Sequence, residues 1–330
     1  MPSPRVPLAV VLVATFALVG CTAETSDPGD PTGGASVAPD TGETDAVSTP
    51  LEAAFERMPV GDGQVSLAVT DVHRAEQLGA YEGGANPFST AGVLGFGALA
   101  SVLALLDGVV PDGALENARA SSGGVVPDTV VRFDGVANPG EALAEVAGER
   151  SELAGGTLLV RRDDYAIDFA DTDFPAQALA HLNVLWFDDA TIIAGTARAN
   201  VESWVAPSGA TAASAFPGLA ACLGDAIGVS ITSADLARTS SDVGIGYGES
   251  DGALVQTLCV HADDPAAAVD RISENIGGSD PLSGRAWSEL LGDVLIEDAG
   301  DGWVRVRSDD GAPNVLFSVL QQGGLGALVD

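Results

Sequence analysis

The sequence predicts an α+β protein made of two related halves, each a mainly antiparallel sheet with helices packed on one face. Three observations carry this. Short residue patterns recur in the same order in the two halves of the chain, at 51–208 and 209–330. Neighbouring strands are joined by tight turns, which only antiparallel strands can use. No regular βα alternation runs through the chain, so a doubly wound parallel sheet is not expected.

The recurring patterns come first. Val65-Ser66-Leu67 is followed by Asp71 and Arg74, and Val229-Ser230-Ile231 by Asp235 and Arg238 at the same spacing. Each reads as a strand entering a short helix, with the aspartate placed as N-cap. Pro139, Ala142, Leu143 and Val146 match Pro265, Ala268, Val269 and Ile272. Proline opens each segment and the apolar residues share one helical face, so helices are expected there. Asn183-Val184-Leu185 matches Asn314-Val315-Leu316, read as two strand starts. Val184–Phe187 and Thr191–Ala194, and then Val294–Glu297 and Trp303–Arg307, read as hairpins. Residues 206–213, rich in Ala, Ser, Gly and Pro, are the expected joint between halves.

The first half carries an insertion at 86–128. Within it, Asn86 to Leu106 holds no charge and contains VLGFGALASVLALL. Its apolar part, Ala91 to Leu106, is about 16 residues, shorter than the roughly 20 a bilayer-spanning helix needs. It reads as a helix buried on the sheet, with a helix lining an apolar groove as the alternative.

The N-terminus has a different character. Arg5 is the only charge before an apolar run that ends in Leu18-Val19-Gly20-Cys21. A short basic start, an apolar core and small residues at the cut site describe an export signal over 1–20. The Leu-Val-Gly-Cys ending resembles the lipobox of bacterial lipoproteins. That resemblance implies a diacylglycerol on the thiol of Cys21, cleavage before it, and anchoring at the extracytoplasmic face of the cell membrane. Residues 22–50 hold six acids, four prolines and no base. Such a composition cannot bury enough surface to offset ordering entropy, so 21–50 reads as a lipidated, acidic tether with a reach of roughly 30 Å. The tether, two-part body and paired cysteines resemble exported lipoproteins of high-GC Gram-positive bacteria, a resemblance that brings no activity with it. With Cys21 set aside for lipid, Cys222 and Cys259 are an even pair in an oxidising compartment, and a disulfide is expected.

Composition excludes some functions. The formal charge is −33 and all 14 basic residues are arginine. No basic patch is present, so nucleic acid is not an expected partner. The membrane, through lipid on Cys21, is the one partner the sequence names; a protein or small-molecule partner stays open.

Motifs that could carry chemistry are few. Gly248-Glu249-Ser250-Asp251-Gly252 fits the G-x-S-x-G pattern, but a strand follows it where a nucleophile elbow needs a helix, so it reads as a hairpin turn. His73, His181 and His261 are isolated from one another and from zinc-ligand spacings. Asp163, Asp164, Asp168, Asp171 and Asp173 crowd one stretch that lacks the central glycine of a calcium loop. Gly244-Ile245-Gly246-Tyr247-Gly248 lies within a strand and is no phosphate cradle. No catalytic residue, metal ligand or cofactor is assigned. The expectation is a non-catalytic binding or scaffold module. A hydrolase with a site assembled only in the fold, or a lipid carrier with an apolar cavity near residues 91–106, stays open.

Overall fold

The computed structural model describes residues 49–61, 63–82, 86–102, 117–167 and 181–330. Cys21, the signal segment 1–20, residues 21–48 of the tether, Leu103–Leu106 of the apolar run, and Asp168, Asp171 and Asp173 lie outside the described residues.

The described chain is built on one antiparallel sheet of twelve strands in the order β11-β12-β10-β9-β8-β1-β2-β3-β7-β6-β5-β4. The strands are β1 (Ser66–Asp71), β2 (Arg119–Gly123), β3 (Val130–Asp134), β4 (Glu149–Leu153), β5 (Gly156–Val160), β6 (Val184–Phe187), β7 (Thr191–Gly195), β8 (Gly228–Thr232), β9 (Val243–Ser250), β10 (Ala253–His261), β11 (Val294–Gly300) and β12 (Trp303–Ser308). Near its centre β1 pairs with β8, Leu67 opposite Ile231 and Ala68 opposite Ser230. Three hairpins close through two residues of positive φ: Ala154-Gly155, Asp251-Gly252 and Asp301-Gly302. This is the turn whose twist matches that of the flanking strands. The G-x-S-x-G run is the second of them, as its composition indicates.

Helices cover both faces of the sheet, which corrects the expectation of one covered face. Successive strand residues point to opposite faces. In β10, Cys259 enters a core with Phe55, Trp204, Phe216 and Leu219. Its neighbours Leu258 and Val260 enter another with Ile272, Trp287 and Leu316. Beneath β2, β3 and β7 that second face continues through Val131, Phe133 and Ile192 packed with Phe96 and Leu99.

Asp71 caps the helix Val72–Gln77 by accepting from the Arg74 amide. Asp235 is not a cap. β8 ends at Thr232, so Ser233 takes the N-cap position of the helix Ala234–Ala237 and its Oγ instead accepts from the Val65 amide. Pro265 opens a helix that runs to Ile276. Pro139 opens one that stops at Ala142. There Arg150 Nη2 donates to the Leu143, Ala144 and Val146 carbonyls, holding the chain after Ala142. Asn314-Val315-Leu316 starts a helix, Val315–Gln322, not a strand. Val315, Leu316, Val319 and Leu320 are all buried, at helical spacing.

Cys222, on the helix Leu219–Leu223, and Cys259 are joined as a disulfide with their Cα atoms 6.2 Å apart. The bond ties that helix to the sheet. Arg305 reinforces it by donating to the Cys222 and Ala221 carbonyls at the helix end, at 2.6 and 2.7 Å. A cation there satisfies carbonyls that have no partner within the helix.

Candidate functional site: a groove over the central strands

The apolar run 86–106 does not form one helix. Ser89–Val93 is α-helical, Leu94–Val102 continues as 3₁₀ turns, and Gly97 breaks the path with φ +50°. The segment lies directly on β1, β2 and β8. Thr70 pins it from below: its buried Oγ1 donates to the Ala91 carbonyl and accepts from the Gly95 amide, both at 2.8 Å. A Cβ at Gly95 would collide with the Ala120 carbonyl oxygen and sit 2.5 Å from the Thr70 nitrogen. Only glycine allows this closeness of two backbones.

On one side of this segment the sheet is left partly uncovered. A groove of about 700 Å³ opens between it and the helices Ala234–Ala237 and Val315–Gln322. The floor is formed by β1 and β8. Leu67, Val69, Val229 and Ile231 point to the far face, so Ala68, Ser230 and Thr232 point into the groove and keep it deep. Val93 and Leu94 form one wall; Leu236, Phe317 and Leu320 form the other. Val125 and Val126, 39% and 73% exposed, lie at one end. Of the 22 described residues lining it, none is charged, although charged residues are 18% of the chain. About four would be expected by composition alone, so the described lining is poorer in charge than the chain as a whole.

Two other hollows differ. One of about 970 Å³ lies beside the β4–β5 hairpin and is lined by Glu141, Arg150, Glu152, Asp188 and Asp189. It is a shallow, charged surface. Another of about 520 Å³ lies beside Trp204, with Asp128 and Asn200 among its lining. There Asp128 accepts from the Tyr165 hydroxyl at 2.6 Å and from Asn200 Nδ2 at 3.0 Å. These hydrogen bonds, the tyrosine's foremost, hold its carboxyl below the usual range.

The groups that could serve catalysis are dispersed. Ser250 ends β9 at a hairpin, and His261 is at the far end of β10, about 26 Å along the strand at ~3.3 Å per residue. His261 packs edge-on against Trp303. His181 Nδ1 lies 2.9 Å from Thr129 Oγ1, and burial pushes its pKa down. His73 shares a hydrogen bond with Gln77. Asp164 is a structural partner: its Oδ1 accepts from the Arg198 amide at the start of the helix Arg198–Val205. Among the described residues no group of three or more His, Cys, Asp or Glu could hold a metal ion, and no helix is long and apolar enough to cross a membrane.

The sequence reading names residues near 91–106 as a possible groove wall. It does not find Ser230, Thr232, Leu236, Phe317 or Leu320. The available signal is the alternation of small residues Gly228, Ser230 and Thr232 with Val229 and Ile231, which marks a close approach on one face. No family model matches the chain, and neither a curated protein nor a solved structure shows detectable similarity to it.

Proposed function

We propose that the protein is a lipid-anchored lipoprotein of the cell envelope that acts as a non-catalytic binding module, its site the groove over β1 and β8. Residues 1–20 direct export, Cys21 carries the lipid, and 21–50 tether a body of two related halves, 51–208 and 209–330. The observation that carries the binding reading is the groove set where the two halves meet, whose described lining holds no charged residue. Junctions between structural units favour concave sites.

The two-half reading is supported by strand order. β1-β2-β3-β7-β6 runs outward from the centre in one direction, and β8-β9-β10-β12-β11 in the other. The strand starts at Ser66 and Gly228 and the helix starts at Val72 and Ala234 set the offset; carried through the pairings, it matches Ser66–Thr70 with Gly228–Thr232, Val130–Asp134 with Thr257–His261, and Thr191–Gly195 with Trp303–Arg307. Ala68 then faces its own counterpart, Ser230, across the central pair. This register is two residues away from the match of Val65-Ser66-Leu67 with Val229-Ser230-Ile231. The strand order therefore supports the repeat, and that textual match is out of register with it.

Two measurements test the proposal. Cys21→Ser should abolish lipid-dependent processing and move the protein out of the membrane fraction; unchanged partition at the same processed mass would end the lipoprotein reading. Native mass spectrometry of the protein released from its own membranes should show a bound small molecule that is lost when the groove is blocked.

A further inference from the structure

We infer that the groove takes a single hydrocarbon chain carrying an uncharged polar head, that is, a neutral acyl lipid of the monoacylglycerol kind. The inference rests on the binding-module reading and names its ligand class. The walls Leu94, Leu236, Phe317 and Leu320 offer apolar surface, and the small floor residues Ala68 and Ser230 leave room for a chain along the strands. The volume of about 700 Å³ falls within the range of roughly 300–1,000 Å³ typical of small-ligand sites.

The head group is argued from charge. A carboxylate or phosphate placed in the groove would meet no arginine among the described lining residues, inside a chain of net charge −33. Burying such a charge without a partner is strongly unfavourable. A cationic head would meet no carboxylate in the same lining. The polar side chains in the described lining are serine and threonine hydroxyls, those of Ser66, Ser122, Ser230 and Thr232 among them, and the amide of Gln321. They can donate to and accept from a neutral hydroxyl or ester and offer no counter-charge. The exposed Val125 and Val126 give the groove an apolar lip.

The test is a titration of the full mature chain with ligands that share one chain and differ in head: monolauroylglycerol, laurate, lauryl phosphate and lauryltrimethylammonium. Monolauroylglycerol should bind at least about tenfold tighter than each charged analogue. Ala98→Trp fills the groove from the 3₁₀ segment, and Gln321→Trp narrows it from an exposed rim position where folding is little disturbed. Each should weaken monolauroylglycerol at least about tenfold. If Ala98→Trp does not fold, Gln321→Trp decides. Equal affinity for any charged head, or binding that Gln321→Trp leaves unmoved, overturns the inference. If monolauroylglycerol does not bind, but protein from native membranes carries another small molecule that Gln321→Trp displaces, the ligand class falls and the binding module stands. If neither is found, both fall.

Discussion

The strand runs β1-β2-β3-β7-β6 and β8-β9-β10-β12-β11 share an order but are covered differently. After β10 comes the 12-residue helix Pro265–Ile276, whose Ala268 and Ile272 are buried against the sheet with Trp287 and Leu316. After β3 comes a four-residue helix, with Leu143 and Val146 buried beyond its end. The first run gets most of its cover from the segment 89–102, in which regular α-helix gives way to 3₁₀ turns. The first run also extends into the β4–β5 hairpin, where Glu149–Glu152 are all exposed. Regular amphipathic helices fill the space above a sheet, whereas a thin, glycine-broken segment lies on the backbone and leaves a trough beside it. The groove is a consequence of covering one sheet in two ways.

This contrast implies that the second run depends more on single helical side chains. Ile272→Ala removes a fully buried side chain from a well-packed helix and should cost about 2–5 kcal/mol. Val146→Ala, in an irregular stretch that can relax, should cost about 1–2 kcal/mol. Urea titrations of the two variants check this, and equal losses would break the comparison.

The disulfide belongs to the second run. Its 37-residue separation implies about 3–4 kcal/mol of stabilisation in the chain-entropy model. Cys222→Ala with Cys259→Ala should lower the urea midpoint accordingly. A loss below about 1 kcal/mol would mean that Arg305 and the surrounding core already hold the helix Leu219–Leu223 in place.

Gly95→Ala addresses the thin cover of the first run. The added methyl meets the Ala120 carbonyl and the Thr70 amide, so the segment must lift from the sheet, at about 1–3 kcal/mol. Lifting should also change the groove, and the protein should lose affinity for whatever ligand it carries. A stable variant with unaltered binding would show that the segment is not seated through this contact.

Much of the architecture was legible before the fold. Asp-Gly and Asp-Asp turns flanked by apolar runs marked hairpins, and Pro265 with apolar residues at helical spacing marked the longest helix. Asn314-Val315-Leu316 was misleading because three residues look the same at a strand start or helix start; Val319 and Leu320, further on, carry the helical period. The second covered face was hidden for another reason. In β8, Val229 and Ile231 alternate with Gly228, Ser230 and Thr232, the pattern of a half-solvated strand, yet all five are buried. A Cβ at Gly228 would lie 2.5 Å from the Ala91 carbonyl oxygen, so the small residues admit a covering backbone where polar ones would meet water. The groove was illegible for the same cause. Ala68, Ala98, Ser230 and Phe317 come from distant parts of the chain, and none carries a motif; only the pairing of β1 with β8 brings them together.

The smallest expected effect concerns His181, at the start of β6's approach in the first run. Its ring is partly buried, with Nδ1 held 2.9 Å from Thr129 Oγ1, and desolvation lowers its pKa below the ordinary value. An unfolded histidine titrates near about 6.5. Between that value and the lower folded one, the unfolded chain binds more protons than the folded chain, so stability rises with pH across the window. The contribution is complete above the unfolded pKa and is lost as pH falls toward the folded one. His181→Gln keeps a polar partner for Thr129 and removes the titration. Thermal unfolding of the native protein should weaken slightly as pH drops through this window, ahead of the carboxylate range, and the Gln variant should not show that component. Identical pH profiles would place the ring in water and leave Thr129 as its only tie. A profile that weakens in the opposite direction would mean that an acidic neighbour, not burial, sets the proton affinity of His181.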